Sequence, residues 1–310
     1  MSNITSVQVS VPATTANIGP GFDCLGAALS LYNQFTFTVT EDVKDLEIIV
    51  KGEEAEKITT DRTNLAWLAF KEFYRHTQKQ PPDRLKCEIE LGFPLGRGLG
   101  SSATAIVGGL VGANYLAGNI LDLQEIINLA IAIEGHPDNV VPAILGNCQL
   151  SVGRGDKWQI SQVPWHRDII PVIAIPDFIL STQEARSVLP DRLDRSDAIF
   201  NISRLGLLLQ GLQHNRADWL TIALEDRLHQ PYRQTLIKGY QEVKSASVAA
   251  GAYGMVISGA GPSLLALTKL TKTQAVASAM KMAWEDLGVK ARVEPIVLNT
   301  LGVKILKPDP

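Results

Sequence analysis

The sequence predicts an α+β protein built from two units. Three observations carry this. The 310 residues leave room for more than one domain, since a domain takes about 150 residues. Strand-like and helix-like segments mix without strict alternation, which argues against a doubly wound parallel sheet. A glycine-rich loop, Gly96 to Ser102, stands between one strand and one helix in the first half.

The elements follow from periodicity. Val7–Val11 alternates as a strand, and Pro12 opens an irregular Gly/Pro-containing stretch through Gly26. Leu31–Thr40 alternates again through Phe35, Phe37 and Val39, and Leu46–Lys51 reads as its neighbour. Asn64–His76 carries Leu65, Leu68, Ala69 and Phe73 at helical spacing. Leu85–Leu91 is a strand running directly into the glycine loop, followed by helical runs Ala103–Ala117 and Leu121–Glu134. Strands near Cys148–Val152 and Trp158–Val163 close the first unit, predicted as residues 1–164. The second, 165–310, opens with the apolar run Ile169–Ile175. Helical patterns follow at Ser196–Gln213, Ala217–Leu224 and Leu236–Ala249. Strands Gly254–Ser258 and Leu264–Thr268, helix Thr273–Leu287 and strand Val289–Ile296 complete it.

Composition narrows the function classes. A net charge of −3 gives no reason to expect nucleic acid or an anionic membrane as partner. No apolar run is long and clean enough to span a bilayer, and the N-terminus lacks a basic region before an apolar core, so no secretory signal is predicted. Cys24, Cys87 and Cys148 are odd in number and widely spaced, which suggests neither a disulfide framework nor a zinc site but reduced thiols in the cytoplasm.

The chemistry concentrates in Pro94-Leu95-Gly96-Arg97-Gly98-Leu99-Gly100-Ser101-Ser102-Ala103-Thr104. Glycine lets backbone turn through positive φ and approach a ligand closely, and Ser101 or Ser102 can cap the helix that follows. A glycine loop leading into a helix N-terminus is an anion seat, suited to a nucleotide triphosphate. No lysine precedes Ser101, so the P-loop pattern fails. Gly98, Gly100 and Ala103 match a dinucleotide fingerprint, but two helical runs follow with no strand between them. A tight turn with a capped helix accounts for one glycine and one serine, not for the whole run.

A second constellation is Pro12-Ala13-Thr14-Thr15-Ala16-Asn17-Ile18-Gly19-Pro20-Gly21-Phe22-Asp23-Cys24-Leu25-Gly26. Asn17 can donate and accept, while ionised Asp23 only accepts, so together they suit an ammonium or hydroxyl group. Residues of this kind also often satisfy their own turn. Taken with the loop Pro-x-x-x-Gly-Leu-Gly-Ser-Ser-Ala, with Glu134-Gly135-His136-Pro137-Asp138-Asn139 and with Ile257-Ser258-Gly259-Ala260-Gly261-Pro262-Ser263, this stretch resembles the homoserine kinases of the GHMP small-molecule kinase superfamily. The matches run in family order over essentially the whole chain.

The resemblance implies an N-terminal ribosomal-protein-like α+β domain and a C-terminal ferredoxin-like α+β domain. It implies ATP on Pro94–Thr104 and Mg²⁺ held by Ser102 and Glu134, which fits a cation that keeps several waters. A homoserine pocket needs a carboxylate clamp, and the planar fork of arginine suits that role. Arg186, in Ser181-Thr182-Gln183-Glu184-Ala185-Arg186, and Arg233 are the candidates, with Asp23 for the ammonium and Asn17, His136, Asp138 and Gly259 around the substrate. Asn17, Asn139 and Thr182 would orient the attacking hydroxyl. Arg97 is left between a phosphate contact and a solvent-facing role. The implied activity is ATP-dependent phosphorylation of L-homoserine on the way to threonine, by a homodimer. A GHMP kinase for another small alcohol, or a non-catalytic nucleotide or amino-acid sensor, are the rival readings.

Overall fold

The structure, a computed structural model, describes residues 5–155 and 157–306. The first sheet contains β1 (Ser6–Ala16), β2 (Leu25–Val39), β3 (Leu46–Gly52), β4 (Leu85–Leu91), β5 (Cys148–Arg154), β6 (Lys157–Val163) and a late strand, β11 (Lys304–Leu306). Its order is β11-β1-β2-β4-β3, with β5 pairing β2 and β6. Four helices accompany it: α1 (Leu65–His76), α2 (Ser101–Leu116), α3 (Leu123–Glu134) and α4 (Pro137–Leu145). They share one core with it, built on Val9, Phe35, Phe37, Phe70, Ile106, Leu110 and Ile127. The glycine- and alanine-rich composition of α2 has a packing cause: a Cβ at Gly108 or Gly112 would meet the Phe35 or Phe37 ring at 2.4 or 2.5 Å.

The second sheet holds β7 (Ile169–Pro176), β8 (Ala252–Ile257), β9 (Leu264–Lys269) and β10 (Ala291–Pro295) in the order β10-β7-β9-β8, antiparallel throughout. Helices α5 (Thr182–Ser187), α6 (Arg195–His214), α7 (Ala217–Ala223), α8 (Gln230–Arg233) and α9 (Tyr240–Ala249) lie between its first and second strands. Helix α10 (Thr273–Glu285) links its third and fourth. That order, fourth-first-third-second, is the ferredoxin-like one. A core of Val172, Ala266, Val276, Met280 and Trp284 joins α9 and α10 to one side of this sheet. Its other side meets the first unit through Leu29, Phe93, Leu99, Ile173, Leu208, Leu265 and Leu267. Among the described residues no helix is long and apolar enough to cross a membrane.

Several elements differ from expectation for identifiable reasons. β1 runs through Pro12 to Ala16 because the register shifts between Pro12 and Ala13, and β11 pairs only with Gln8–Ser10 on the other side. A residue without an N–H is tolerated at such a bulge. β3 is not the neighbour of β2 but pairs in parallel with β4. α4, hidden by Pro137 and Pro142, starts with proline at its first position and continues through Pro142, giving up one i→i−4 bond. Ser101 and Ser102 do not cap α2; its cap is Gly100 at φ 70°, which leaves both serines as the first helical residues.

Candidate active site

The phosphate-loop candidate bridges the two sheets: the carbonyls of Gly96, Arg97 and Gly98 bond to the second unit, and that of Leu99 to β1. Gly96 O accepts from Leu180 N (3.2 Å), Arg97 O from Ser263 N (3.3 Å), Leu99 O from Thr14 N (3.0 Å) and Gly100 O from Thr104 N (2.9 Å). Gly98 O accepts from the Ser258 hydroxyl at 2.8 Å, and that hydroxyl oxygen in turn lies 2.9 Å from Thr15 Oγ1, whose own O–H can donate to it. With these carbonyls occupied and φ positive at Gly96, Gly98 and Gly100, the surrounding protein holds the loop backbone in place. At Gly98 a side chain is impossible: a Cβ would lie 2.1 Å from Ser258 O.

The loop opens on a cavity of about 120 Å³. Of the predicted nucleotide residues, Gly96, Gly98, Gly100, Ser101 and Ser102 line it, while Pro94, Leu95, Arg97, Leu99, Ala103 and Thr104 do not. Leu99 is in the core between the sheets, and Thr104 accepts from Asn33 (2.9 Å) and donates to Ser101 O (2.9 Å). Arg97 departs most from expectation: it is 3% exposed rather than solvent-facing and does not line the cavity, donating instead to Pro176 O, Leu95 O, Asp177 O and Glu54 Oε1.

Across the cavity stand Asn17, Glu134, His136, Asp138, Asn139, Thr182, Arg186, Arg233 and Gly259. Ser102 Oγ donates to Glu134 Oε1 at 2.5 Å. Burial pushes the Glu134 carboxyl above its usual range, against the bond from Ser102 and the nearby His136. His136 Nδ1 lies 2.9 Å from Asp138 Oδ1; that bond raises the imidazole, although burial opposes it. Asn139 Oδ1 accepts from Thr14 Oγ1 at 2.8 Å, inside the protein. Asn17, at φ 57°, donates to Gly259 O (3.0 Å) and accepts from Asp23 N (2.8 Å). Arg233, 1% exposed, donates to the same Gly259 carbonyl (3.1 Å) and to Ala185 O (3.1 Å). Burial and the neighbouring Arg186 bring its guanidinium down to about 10. It stays charged at neutral pH.

Asp23 and Arg186 differ from expectation in one respect. Read as separate groups for an ammonium and a carboxylate, they bond each other at 2.8 and 3.2 Å, and Asp23 does not line the cavity. The three residues expected to orient the hydroxyl, Asn17, Asn139 and Thr182, all line the cavity. The side chains of Asn17 and Asn139 bond to the walls, whereas the Thr182 hydroxyl, at the first turn of α5, makes no hydrogen bond among the described residues. Sequence reasoning missed Phe22 and His229. Their rings stack at 5.1 Å, with the Arg233 guanidinium 5.1 Å and the Arg186 guanidinium 5.8 Å from the Phe22 ring. Phe22 lay in the quoted opening stretch, but nothing local pointed to His229.

Comparison with known proteins meets this geometry. The GHMP kinases N terminal domain matches residues 64–147 and the GHMP kinases C terminal domain residues 208–286. The homoserine kinase of Crocosphaera subtropica is 60% identical over 303 residues, 97% of this chain and 98% of that one. The chain belongs to the homoserine kinase family. The family's enzyme from Trichodesmium erythraeum is 57% identical over 97% of this chain and 99% of its own. A crystal structure of homoserine kinase from Cytophaga hutchinsonii superposes with a TM-score of 0.89 at 28% identity, covering 99% of each chain. The two-domain GHMP kinase fold, ATP as a substrate and kinase chemistry follow from that membership.

Proposed function

We propose that the protein transfers the γ-phosphoryl group of ATP to the side-chain hydroxyl of L-homoserine, giving O-phospho-L-homoserine. The observation that carries this is one cavity lined by both the donor loop Gly96–Ser102 and the guanidinia of Arg186 and Arg233. Backbone donors suit phosphates, and two guanidinia suit the carboxylate of an amino acid. Mevalonate has no ammonium to engage Asp23. On this reading substrate binding exchanges partners: Arg186 turns from Asp23 to the carboxylate, and Asp23 takes the ammonium.

Ser102 and Glu134 present two adjacent oxygens beside the loop, a donor set too small for an all-protein cage but fitting Mg²⁺ held mainly by phosphates. Among the described residues no cluster of three or more His, Cys, Asp or Glu offers another metal site. When bound, the ion would neutralise charge on the transferring group. Phosphoryl transfer is mostly positioning and electrostatics, with a largely dissociative transition state in most analyses. Thr182, with its uncommitted hydroxyl, orients the attacking oxygen, while Asn17 and Asn139 hold the walls. The oxygen attacks phosphorus in line as the bond to ADP breaks, and the hydroxyl proton leaves to a transferred-phosphoryl oxygen or to water.

The same reading takes the protein to be a cytoplasmic homodimer serving threonine formation, as the family resemblance implies. It divides the chain between β6 and β7, near residue 164, with β11 returning to the first sheet. The decisive assay is ADP release from Mg-ATP with L-homoserine, mevalonate, shikimate, galactose or no acceptor. Release only with L-homoserine, with the product's mass confirmed, supports the reading. Release with another alcohol overturns the substrate, and ATP binding without release on any acceptor favours a sensor.

A further inference from the structure

Glu54 lies outside every motif and outside the cavity, yet it touches the phosphate loop twice. It follows β3 at φ 63°, a left-handed conformation uncommon for a residue with a Cβ. Its Oε2 accepts from Leu95 N at 3.1 Å, and its Oε1 accepts from Arg97 Nη2 at 2.9 Å. Arg97 in turn donates to Leu95 O (2.5 Å), to Pro176 O (2.9 Å) and to Asp177 O (3.1 Å). One carboxylate and one guanidinium therefore grip Leu95 at both its N–H and its C=O, and fasten that grip to the end of β7 in the other sheet.

Such a pair is costly to bury. Two charges removed from water are compensated only when geometry is good and the remaining donors are filled. Here the side chains are 3% and 13% exposed, and the guanidinium has four oxygen acceptors. Burial by itself would raise the Glu54 carboxyl; the bonds from Lys57 and Leu95 N–H and the charge of Arg97 outweigh it and hold it below its usual value. A plain surface loop needs no such arrangement. A loop whose amides must stand in one place does.

We propose that Glu54 is a positioning residue for the nucleotide site. Acting through Arg97, it fixes the Pro94–Arg97 half of the loop against the second sheet, so that the amides of Gly98–Ser102 meet the phosphates correctly. This rests on Pro94–Thr104 being the phosphate seat. A residue that merely held the fold together would lower stability without separating the two substrates.

The test uses the full chain with Glu54→Ala, Glu54→Gln and, as a control, Lys57→Ala, since Lys57 bonds Glu54 but not the loop. Glu54→Ala should raise KM for ATP about tenfold, the scale of one lost charge-assisted hydrogen bond, and move KM for L-homoserine by less than about twofold. Amide hydrogen exchange at Leu95–Gly100 should quicken in the same variant without ligand. Glu54→Gln keeps an acceptor and should fall between, while Lys57→Ala should match wild type. An unchanged KM for ATP overturns the proposal, as does an equal rise in both KM values with a lower melting temperature. If the alanine variant does not fold, the same criteria apply to Glu54→Gln. Wild-type protein that neither binds nor turns over ATP overturns the phosphate-seat reading, and the proposal with it.

Discussion

The two walls of the cavity are built on different principles. On the wall formed by the glycine loop the backbone does the work: the carbonyls from Gly96 to Gly100 all accept hydrogen bonds within the protein, and φ is positive at Gly96, Gly98 and Gly100. On the opposite wall side chains do it, and two pairs of them hold each other: Asp23 with Arg186, and His136 with Asp138. The first wall is preorganised, so binding costs little ordering. On the proposed reading the second exchanges internal pairs for a zwitterion, so that affinity is a difference between two sets of ion pairs and specificity is easy to tune.

The largest effect should come from disturbing the rigid wall. Gly98→Ala places a methyl group against Ser258 O on backbone at φ +71°, and kcat/KM should fall by about a hundredfold or more. Gly206→Ala, in a helix with nothing within 4 Å of the added methyl, should leave kcat/KM unchanged. Equal behaviour of the two in a steady-state assay would break the comparison. Next comes the junction of the walls. Glu134→Gln should lower kcat by roughly a hundredfold and raise the magnesium concentration needed for half-maximal rate, with Ser102→Ala milder and EDTA stopping turnover. Full rate at low magnesium in Glu134→Gln would remove that residue from the metal site.

On the exchanging wall, Asp23→Asn should raise KM for L-homoserine about tenfold and leave KM for ATP alone. With 4-hydroxybutyrate, which lacks the ammonium, the same substitution should have no such effect. An equal loss with both acceptors would make the Asp23–Arg186 pair a fixed strut, and the two walls would no longer differ. The smallest effect is expected at Cys24. Burial, with the Asp138 and Asp23 charges, pushes its thiol up to about 11, so labelling by a thiol reagent at pH 8 should be slow. Cys24→Ser should keep kcat/KM within about twofold, because a thiol with so little thiolate has no part in the chemistry.

Much of the fold was legible. β4 runs over Leu85–Leu91 as its alternation predicts, and α1 begins after Asn64, whose side chain caps it. The elements that escaped had little local signal. β11 is three residues long, and α4 has nine with two prolines. In the site, every predicted substrate and metal residue except Asp23 lines the same cavity; each sits in one of the motifs that carried the resemblance, apart from Arg186 and Arg233. Phe22 and His229 meet across the fold, and an aromatic pair distant in sequence leaves no periodic trace.

The sequence by itself determined the class of elements, the glycines that let the loop adopt positive φ, the family and the residues gathered at the cavity. These depend on short-range sterics, hydrophobic period and residue chemistry, all of which are local. Only the tertiary structure decided which charges pair. It placed Arg97 on Glu54 and on the carbonyls at the end of β7, and set Arg186 on Asp23, 163 residues away. A guanidinium binds any well-placed carboxylate or carbonyl, so its partner is chosen by how the two sheets pack, and that choice is not written in its neighbours along the chain.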